Sequence, residues 1–175
     1  MFGHVIIDGP DAVGKTTLAE FVNEKFGFEI IHSDAKSKND YEYHSNLLKC
    51  RDSKFYDRFM AGEFVYPRIY GRAPKLDVSE MDKLFKEIID TNSLYIIMNT
   101  SNLDIVNQRL IDRKEFNYLD EIKEQTQLFL GFAGYVFANY FENYDNFKYV
   151  DIAEPDAYEK IYAYVEEFIN SHKEN

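Results

Sequence analysis

Val5-Ile6-Ile7-Asp8-Gly9-Pro10-Asp11-Ala12-Val13-Gly14-Lys15-Thr16-Thr17 is the stretch that decides the fold. Gly9, four intervening residues and Gly14-Lys15-Thr16 satisfy the GxxxxGK[ST] pattern of a phosphate-binding loop. The apolar run Val5, Ile6, Ile7 reads as a short buried strand, and Thr17 through Lys25 carries apolar positions at helical spacing, so the loop lies between strand and helix as the motif requires. Gly9 and Gly14 let the backbone turn so that successive N–H groups face phosphate oxygens, and the helix N-terminus adds unpaired donors and the positive end of its dipole. Lys15 supplies a mobile positive charge for β- and γ-phosphates, and Thr16 offers a hydroxyl to Mg²⁺, a hard cation that takes oxygen ligands. With Asp11, Ala12, Val13 and Thr17 these residues form the expected nucleotide-binding set.

Outward from the loop, strand and helix signals alternate. Leu18, Phe21, Val22 and Phe26 pack a first helix that Gly27 ends, and Phe28 to His32 reads as a second strand. The polar segment from His32 to Asp40 is a loop by composition, followed by a short helix from Tyr41 to Leu48 with Tyr43 and Leu47 on one face. Lys54 to Arg58 is a brief strand that delivers Asp57 and Arg58 at its end, the place where open α/β sheets bind ligands. A helix from Phe59 is expected to stop at Pro67, leaving Pro67 to Pro74 as a loop that carries Arg68 and Arg72. Met81, Leu84, Phe85, Ile88 and Ile89 make the clearest amphipathic helix, capped by Asp77 or Ser79. Leu94 to Met98 is a wholly apolar strand, as expected for one buried on both faces. Helices over Leu103 to Asp112 and Glu121 to Tyr140 follow, the second with Leu128, Phe132, Tyr135 and Val136 inward. A strand over Phe147 to Val150 and a helix over Ala157 to Ile169 close the chain. The alternation predicts one α/β domain over 1–175, a three-layer sandwich with a mostly parallel five-stranded sheet flanked by helices.

Composition narrows the function. The 175 residues suit a single domain, and 45% apolar content suits a packed core. No apolar run approaches the roughly 18 residues of a membrane span, the N-terminus lacks signal-peptide character, and the lone Cys50 leaves no intrachain disulfide, so a cytoplasmic setting is expected. A net charge of −11 argues against a nucleic-acid polymer as partner, because such proteins need a basic face. A small anion needs only a local arginine cluster. Arg58, Arg68 and Arg72 supply one, and Arg109 with Arg113 on a later helix is placed to close over ATP, an arrangement suited to phosphoryl transfer. A GTPase reading lacks both a guanine-reading NKxD and a DxxG switch following the loop, and Leu94 to Met98 offers no acidic Walker B strand for a motor.

The loop Gly9 to Thr17, the Asp57-Arg58-Phe59 motif, its continuation Glu63-Phe64-Val65-Tyr66 and the Arg109-to-Arg113 lid spacing resemble the thymidylate kinase and deoxynucleoside kinase superfamily, most closely its phage-type thymidylate-kinase-like members. The resemblance implies a P-loop NTPase fold with a lid around 109–118, with Lys15 and the loop amides on ATP and Thr16 on Mg²⁺. It implies that Asp11 approaches the acceptor's sugar hydroxyl and that Arg58 holds the acceptor's phosphate or orients its 5′-hydroxyl. Asp57 is then a base, a ligand to metal-bound water or the residue that fixes Arg58, and Arg109 and Arg113 stabilise the transferring phosphoryl group. The chain departs from the family where His32-Ser33-Asp34-Ala35-Lys36 replaces a Phe-Pro-x-Arg segment, and where Asn99 replaces an acid after the fourth strand. Base stacking then falls to Tyr43, Phe59 or Tyr66, while His32 and His44 read as structural or weakly binding. The leading expectation is an ATP-dependent deoxynucleoside monophosphate kinase, since Arg68 and Arg72 add charge beside Arg58 for an anionic acceptor. Its alternatives are a deoxynucleoside kinase acting on the 5′-hydroxyl and a non-catalytic nucleotide switch. The resemblance is also compatible with a homodimer.

Overall fold

In a computed structural model, which describes residues 3–140 and 144–173, five parallel strands lie in the order β2-β3-β1-β4-β5. They are β1 Val5–Asp8, β2 Glu29–His32, β3 Lys54–Asp57, β4 Leu94–Asn99 and β5 Phe147–Asp151. Every ladder is parallel, and the central pairing sets Ile7 opposite Asp57 on one side and Ile96 on the other. β1 and β4 are apolar up to their last residues, Asp8 and Asn99, because they are covered on both faces; no residue of either is more than marginally exposed.

Side chains alternate across a strand, so β1 feeds two cores. Val5 and Ile7 join Leu18, Val22, Leu110, Ile161 and Val165 from helices α1 Lys15–Phe26, α5 Leu103–Asp112 and α7 Ala157–Lys173. Ile6 joins Leu48, Val65, Leu84, Phe85, Phe129 and Phe132 from α2 Tyr41–Leu48, α3 Ala61–Tyr70, α4 Val78–Asp90 and α6 Ile122–Tyr140. The result is the predicted three-layer sandwich, with the sheet in the middle. Among the described residues no helix is long and apolar enough to cross a membrane.

Local chemistry explains most boundaries. Gly27 closes α1 in the left-handed conformation, its N–H bonded to the Asn23 carbonyl. Asp77, not Ser79, caps α4, and Glu80 reciprocates in a capping box that contributes about 1 kcal/mol. Met81, Leu84, Phe85 and Ile88 fill the buried face of that helix as the spacing requires.

Three expectations shift. Pro67 does not end α3, which starts at Ala61 rather than Phe59 and runs on to Tyr70, so Arg68 is helical. Proline removes the donor that would reach the Glu63 carbonyl, but Pro67 is itself buried, and its packing outweighs the one lost bond. On α2 the buried positions are His44, Ser45 and Leu48, while Tyr43 and Leu47 are half-exposed. On α6 the buried apolar side chains are Ile122, Phe129, Phe132, Ala133 and Val136, with Leu128 and Tyr135 at the margin.

His44 has no solvent exposure, neither ring nitrogen has a partner, and its ring packs edge-on against Phe59 at 4.4 Å. Burial pulls it down to about 4, with Glu63 and Asp40 opposing and Lys75 adding to the shift. The unfolded chain therefore takes up a proton between pH 6.5 and 4 that the folded chain does not, so this contribution to stability is intact above pH 6.5 and lost as pH falls toward 4. At about 1.36 kcal/mol per pKa unit the loss is roughly 3 kcal/mol. Chemical denaturation of the wild type and of His44→Leu at pH 6.5 and 4.5 checks this, because the difference between them cancels the other titrating groups. The wild type is expected to lose more stability on acidification than the variant, and parallel losses would contradict a neutral buried His44.

Candidate active site

The loop leaves the C-terminal end of β1, and close contacts explain its glycines. A Cβ at Gly9 would stand 2.1 Å from the Met98 carbonyl oxygen of β4. Gly14, at φ +99°, would bring a Cβ to 2.9 Å from the Tyr158 hydroxyl. Tyr158, from α7, donates to the Val13 carbonyl at 2.8 Å, and Arg109 donates to the Ala12 carbonyl at 2.9 Å and to the Tyr158 hydroxyl at 2.7 Å. A trans peptide sets C=O and N–H on opposite sides, so tying these carbonyls to α5 and α7 turns the Val13 and Gly14 amides the other way. The first-turn amides of α1 add donors with no intrahelical acceptor.

Lys15 is folded onto its own loop, donating to the Gly9 and Pro10 carbonyls at 2.8 and 2.6 Å. Burial, with help from the Arg58 charge, lowers it to about 8 against the opposing pull of Asp11, Asp57 and Asp8.

At the end of the neighbouring strand, Asp57 and Arg58 form a corner. Arg58 donates its N–H to the Ile7 carbonyl at 2.9 Å and sits at φ +70°, left-handed for a residue with a Cβ. Such a conformation costs of order 1–3 kcal/mol and persists only where its surroundings impose it. The guanidinium donates to Asp11 Oδ1 at 2.9 Å, while its Nε has no partner. Asp57, 4% exposed, meets His32 Nδ1 through Oδ2 at 3.0 Å, as its register opposite His32 in β2 requires, and its Oδ1 has no partner.

Two cavities of about 210 and 250 Å³ meet here, sharing Asp11, Arg58 and Tyr118 in their walls. Together they reach the roughly 300–1,000 Å³ of small-molecule sites. The phosphate-side cavity is lined by Ala12, Gly14, Lys15, Thr16, Asp57 and Arg113 among others. The aromatic one is lined by Phe59, Tyr66, Tyr70, Ser33, Asn39, Glu63 and Arg72. Three polar atoms of its lining residues lack partners, namely Arg58 Nε, Tyr66 Oη and Asn39 Oδ1. Buried polar atoms are rarely left so without a ligand or water to satisfy them.

The expected residues divide accordingly. Asp11, Lys15, Thr16, Asp57, Arg58 and Arg113 converge on the phosphate side, and Phe59, Tyr66 and Arg72 on the aromatic side. Arg68 lines neither; it lies over the Phe64 ring at 3.6 Å. Arg72 is held by both Glu63 oxygens at 2.9 Å, and burial of that carboxylate is outweighed by Arg72 and the Lys75 N–H, which keep it below the usual range. The expected extra positive charge beside Arg58 is therefore largely cancelled. Tyr43 stands behind the wall, its hydroxyl 3.3 Å from Ser33 Oγ. Arg109 braces the loop from behind, and Asn99 donates to the Thr126 carbonyl.

Three residues of the site carry no motif in the sequence. Tyr158 reads as core by periodicity. Gln125, fully buried, accepts from the Asp11 N–H at 3.0 Å and donates to Asp11 Oδ2 at 3.1 Å. Its inward register with Ile122 and Phe129 was the available signal. Asp8 closes the apolar run of β1, where a carboxylate has no reason to be unless something buried needs it. It is 1% exposed and accepts from the Phe59 N–H at 2.8 Å, the Ala61 N–H at 3.3 Å and the Tyr95 hydroxyl at 2.7 Å. Burial raises it to about 6 in spite of these donors and Lys15.

No known family's sequence pattern matches the chain, and no curated protein sequence does. Solved structures match nearly all of it. The YorR protein of Bacillus subtilis, determined in complex with phosphorylated GDP, aligns at a TM-score of 0.74 and 19% identity, over 96% of this chain and 98% of that one. Deoxyadenosine kinase from M. mycoides aligns at 0.55 and 13% identity, over 96% and 97%. A gluconokinase from Sinorhizobium meliloti aligns at 0.54 and 12%, over 98% and 94%. The likeness shows that the chain has the fold of P-loop kinases.

Lys15 gives a signed test. Burial brings its titration down to about 8, and a polyphosphate anion would pair only with the ammonium form. The dissociation constant for ATP, measured by calorimetry, is expected to be flat from pH 7 to 7.5 and to rise above pH 8, approaching tenfold per unit. A constant affinity up to pH 9.5 would contradict this.

Proposed function

We propose that this chain is an ATP-dependent phosphotransferase that moves the γ-phosphoryl group to the 5′-phosphate of a deoxynucleoside monophosphate. The observation that carries the reading is the junction of the two cavities: a phosphate-side cavity and an aromatic cavity share the Asp11–Arg58 wall, where a donor phosphate and an acceptor's 5′ end would meet. Phosphoryl transfer needs mainly that positioning, plus fixed positive charge.

Each residue then has a task that its surroundings allow. Lys15 and the braced loop amides hold the β- and γ-phosphates of ATP. Arg58, with a free Nε beside a partly engaged terminal nitrogen, offers a planar fork for acceptor phosphate oxygens. Asp11, held from two sides by Gln125, faces both cavities and suits a contact to the acceptor sugar. Phe59, Tyr66 and Tyr70 supply the apolar surface for a base, and Arg113 lies where charge would accumulate on the transferred group.

The residues present fit Mg²⁺. Thr16 is exposed and lines the phosphate-side cavity, and Asp57, in the same lining, has a carboxylate oxygen without a partner, a hard-oxygen set that the nucleotide phosphates and water would complete. When bound, the ion would neutralise part of the phosphate charge.

A second reading, transfer to the 5′-hydroxyl of a deoxynucleoside, is favoured by one observation. Glu63 neutralises Arg72, and Asp11 and Asp34 also line the aromatic cavity, so its lining carries three carboxylates against two guanidinium groups.

An ADP-release assay with ATP, Mg²⁺ and every common deoxynucleoside and its monophosphate separates these readings. At least one monophosphate is expected to stimulate release well above background, and Lys15→Ala is expected to lower that rate by at least 100-fold. Stimulation only by unphosphorylated nucleosides would select the second reading, and none by any acceptor would reject both.

A further inference from the structure

We propose that Asp8 is a positioning residue for phosphoryl transfer, which acts through the backbone of the Asp57–Arg58 corner and holds Arg58 in its left-handed conformation. The inference rests on the reading that Arg58 serves the acceptor. Asp8 lines neither cavity and is 1% exposed, so it cannot touch either substrate. Its carboxylate nevertheless sits at the hinge of the whole site, directly before Gly9 of the loop and opposite Ile97 of β4.

The contacts point one way. A carboxylate accepts from several donors at once, and here two of the three are main-chain amides that follow Arg58, those of Phe59 and Ala61. The third, the Tyr95 hydroxyl, comes from the adjacent strand and fixes the carboxylate from the far side. Upstream, the Arg58 N–H is tied to the Ile7 carbonyl, one residue before Asp8. Arg58 is therefore clamped on both sides by consecutive residues of β1, and the clamped residue has φ +70°. A side chain with a Cβ adopts that region only where neighbours enforce it. Released from the Phe59 and Ala61 anchors, the chain would relax toward ordinary φ and carry the guanidinium away from Asp11 and the shared wall. Burial among these groups raises Asp8 only to about 6, so it remains a carboxylate at neutral pH. An asparagine of the same shape would place an N–H₂ group against donors.

The test is a kinetic cycle read alongside hydrogen exchange. Asp8→Asn is expected to lower turnover with the best acceptor by at least 30-fold and to change the KM for ATP by less than threefold. In an Arg58→Ala background the same substitution is expected to change turnover by less than threefold, because its route is already cut. Amide exchange at Phe59 and Ala61 is expected to speed up by at least tenfold in Asp8→Asn, with helices α4 and α7 unchanged. Tyr95→Phe, which removes one donor and leaves the fold's apolar contacts, supplies the same measurement at smaller amplitude if Asp8→Asn fails to fold. Equal losses of turnover in both backgrounds, or unchanged exchange at Phe59, would overturn the proposal. Absence of activity with any acceptor would refute the kinase reading instead, and the exchange data would still decide whether Asp8 holds the corner.

Discussion

One backbone hydrogen bond, from the Arg58 N–H to the Ile7 carbonyl at 2.9 Å, prolongs the β1–β3 ladder just far enough to set the phosphate loop and the Asp57–Arg58 corner side by side. The loop departs from one strand end and the corner from the other, so the two meet because two parallel strands end together. The parallel arrangement goes with β1 and β4 being buried along their whole length, with helices covering both faces of the sheet. The site is thus a consequence of sheet register, with the loop glycines permitting close approach to β4 and α7.

Charge is the second constraint. Lys15, Arg58, Asp8, Asp11 and Asp57 crowd one region; Lys15, Asp8 and Asp57 are nearly sealed from water and the Arg58–Asp11 pair is partly so. Burial depresses Lys15 and raises Asp8, which is the signature of groups kept ionised at a cost in stability. Lys15 turned onto its own loop carbonyls and Arg58 turned onto Asp11 partly offset that cost.

The fold was legible because its signals are local. The complete loop motif, the unbroken apolar strands and the spacing of α4 each identify an element from consecutive residues. The ends of elements were legible where a cap marks them, as at Gly27 and Asp77, and illegible at Pro67, where tertiary packing overrides a local breaker. Residues of the site followed the same division. The loop and the Asp57-Arg58 pair stand out in the sequence. The partners that orient them, Gln125, Tyr158, His32 and Asp8, come from 114, 145, 25 and 51 positions away from the groups they hold, and no local pattern encodes those distances. Arg68 shows the opposite failure, since closeness in sequence to Arg58 gave no closeness in space once its helix turned it onto Phe64.

In the proposed reaction a donor and an acceptor bind at once, on opposite sides of the Asp11–Arg58 wall. Calorimetric titration with a bisubstrate compound, adenosine joined to a deoxynucleoside through a polyphosphate chain, tests it most directly. Binding at least tenfold tighter than ATP is expected, with competition against both ATP and the acceptor. A compound that displaces ATP while the acceptor still binds with undiminished affinity would contradict the shared wall.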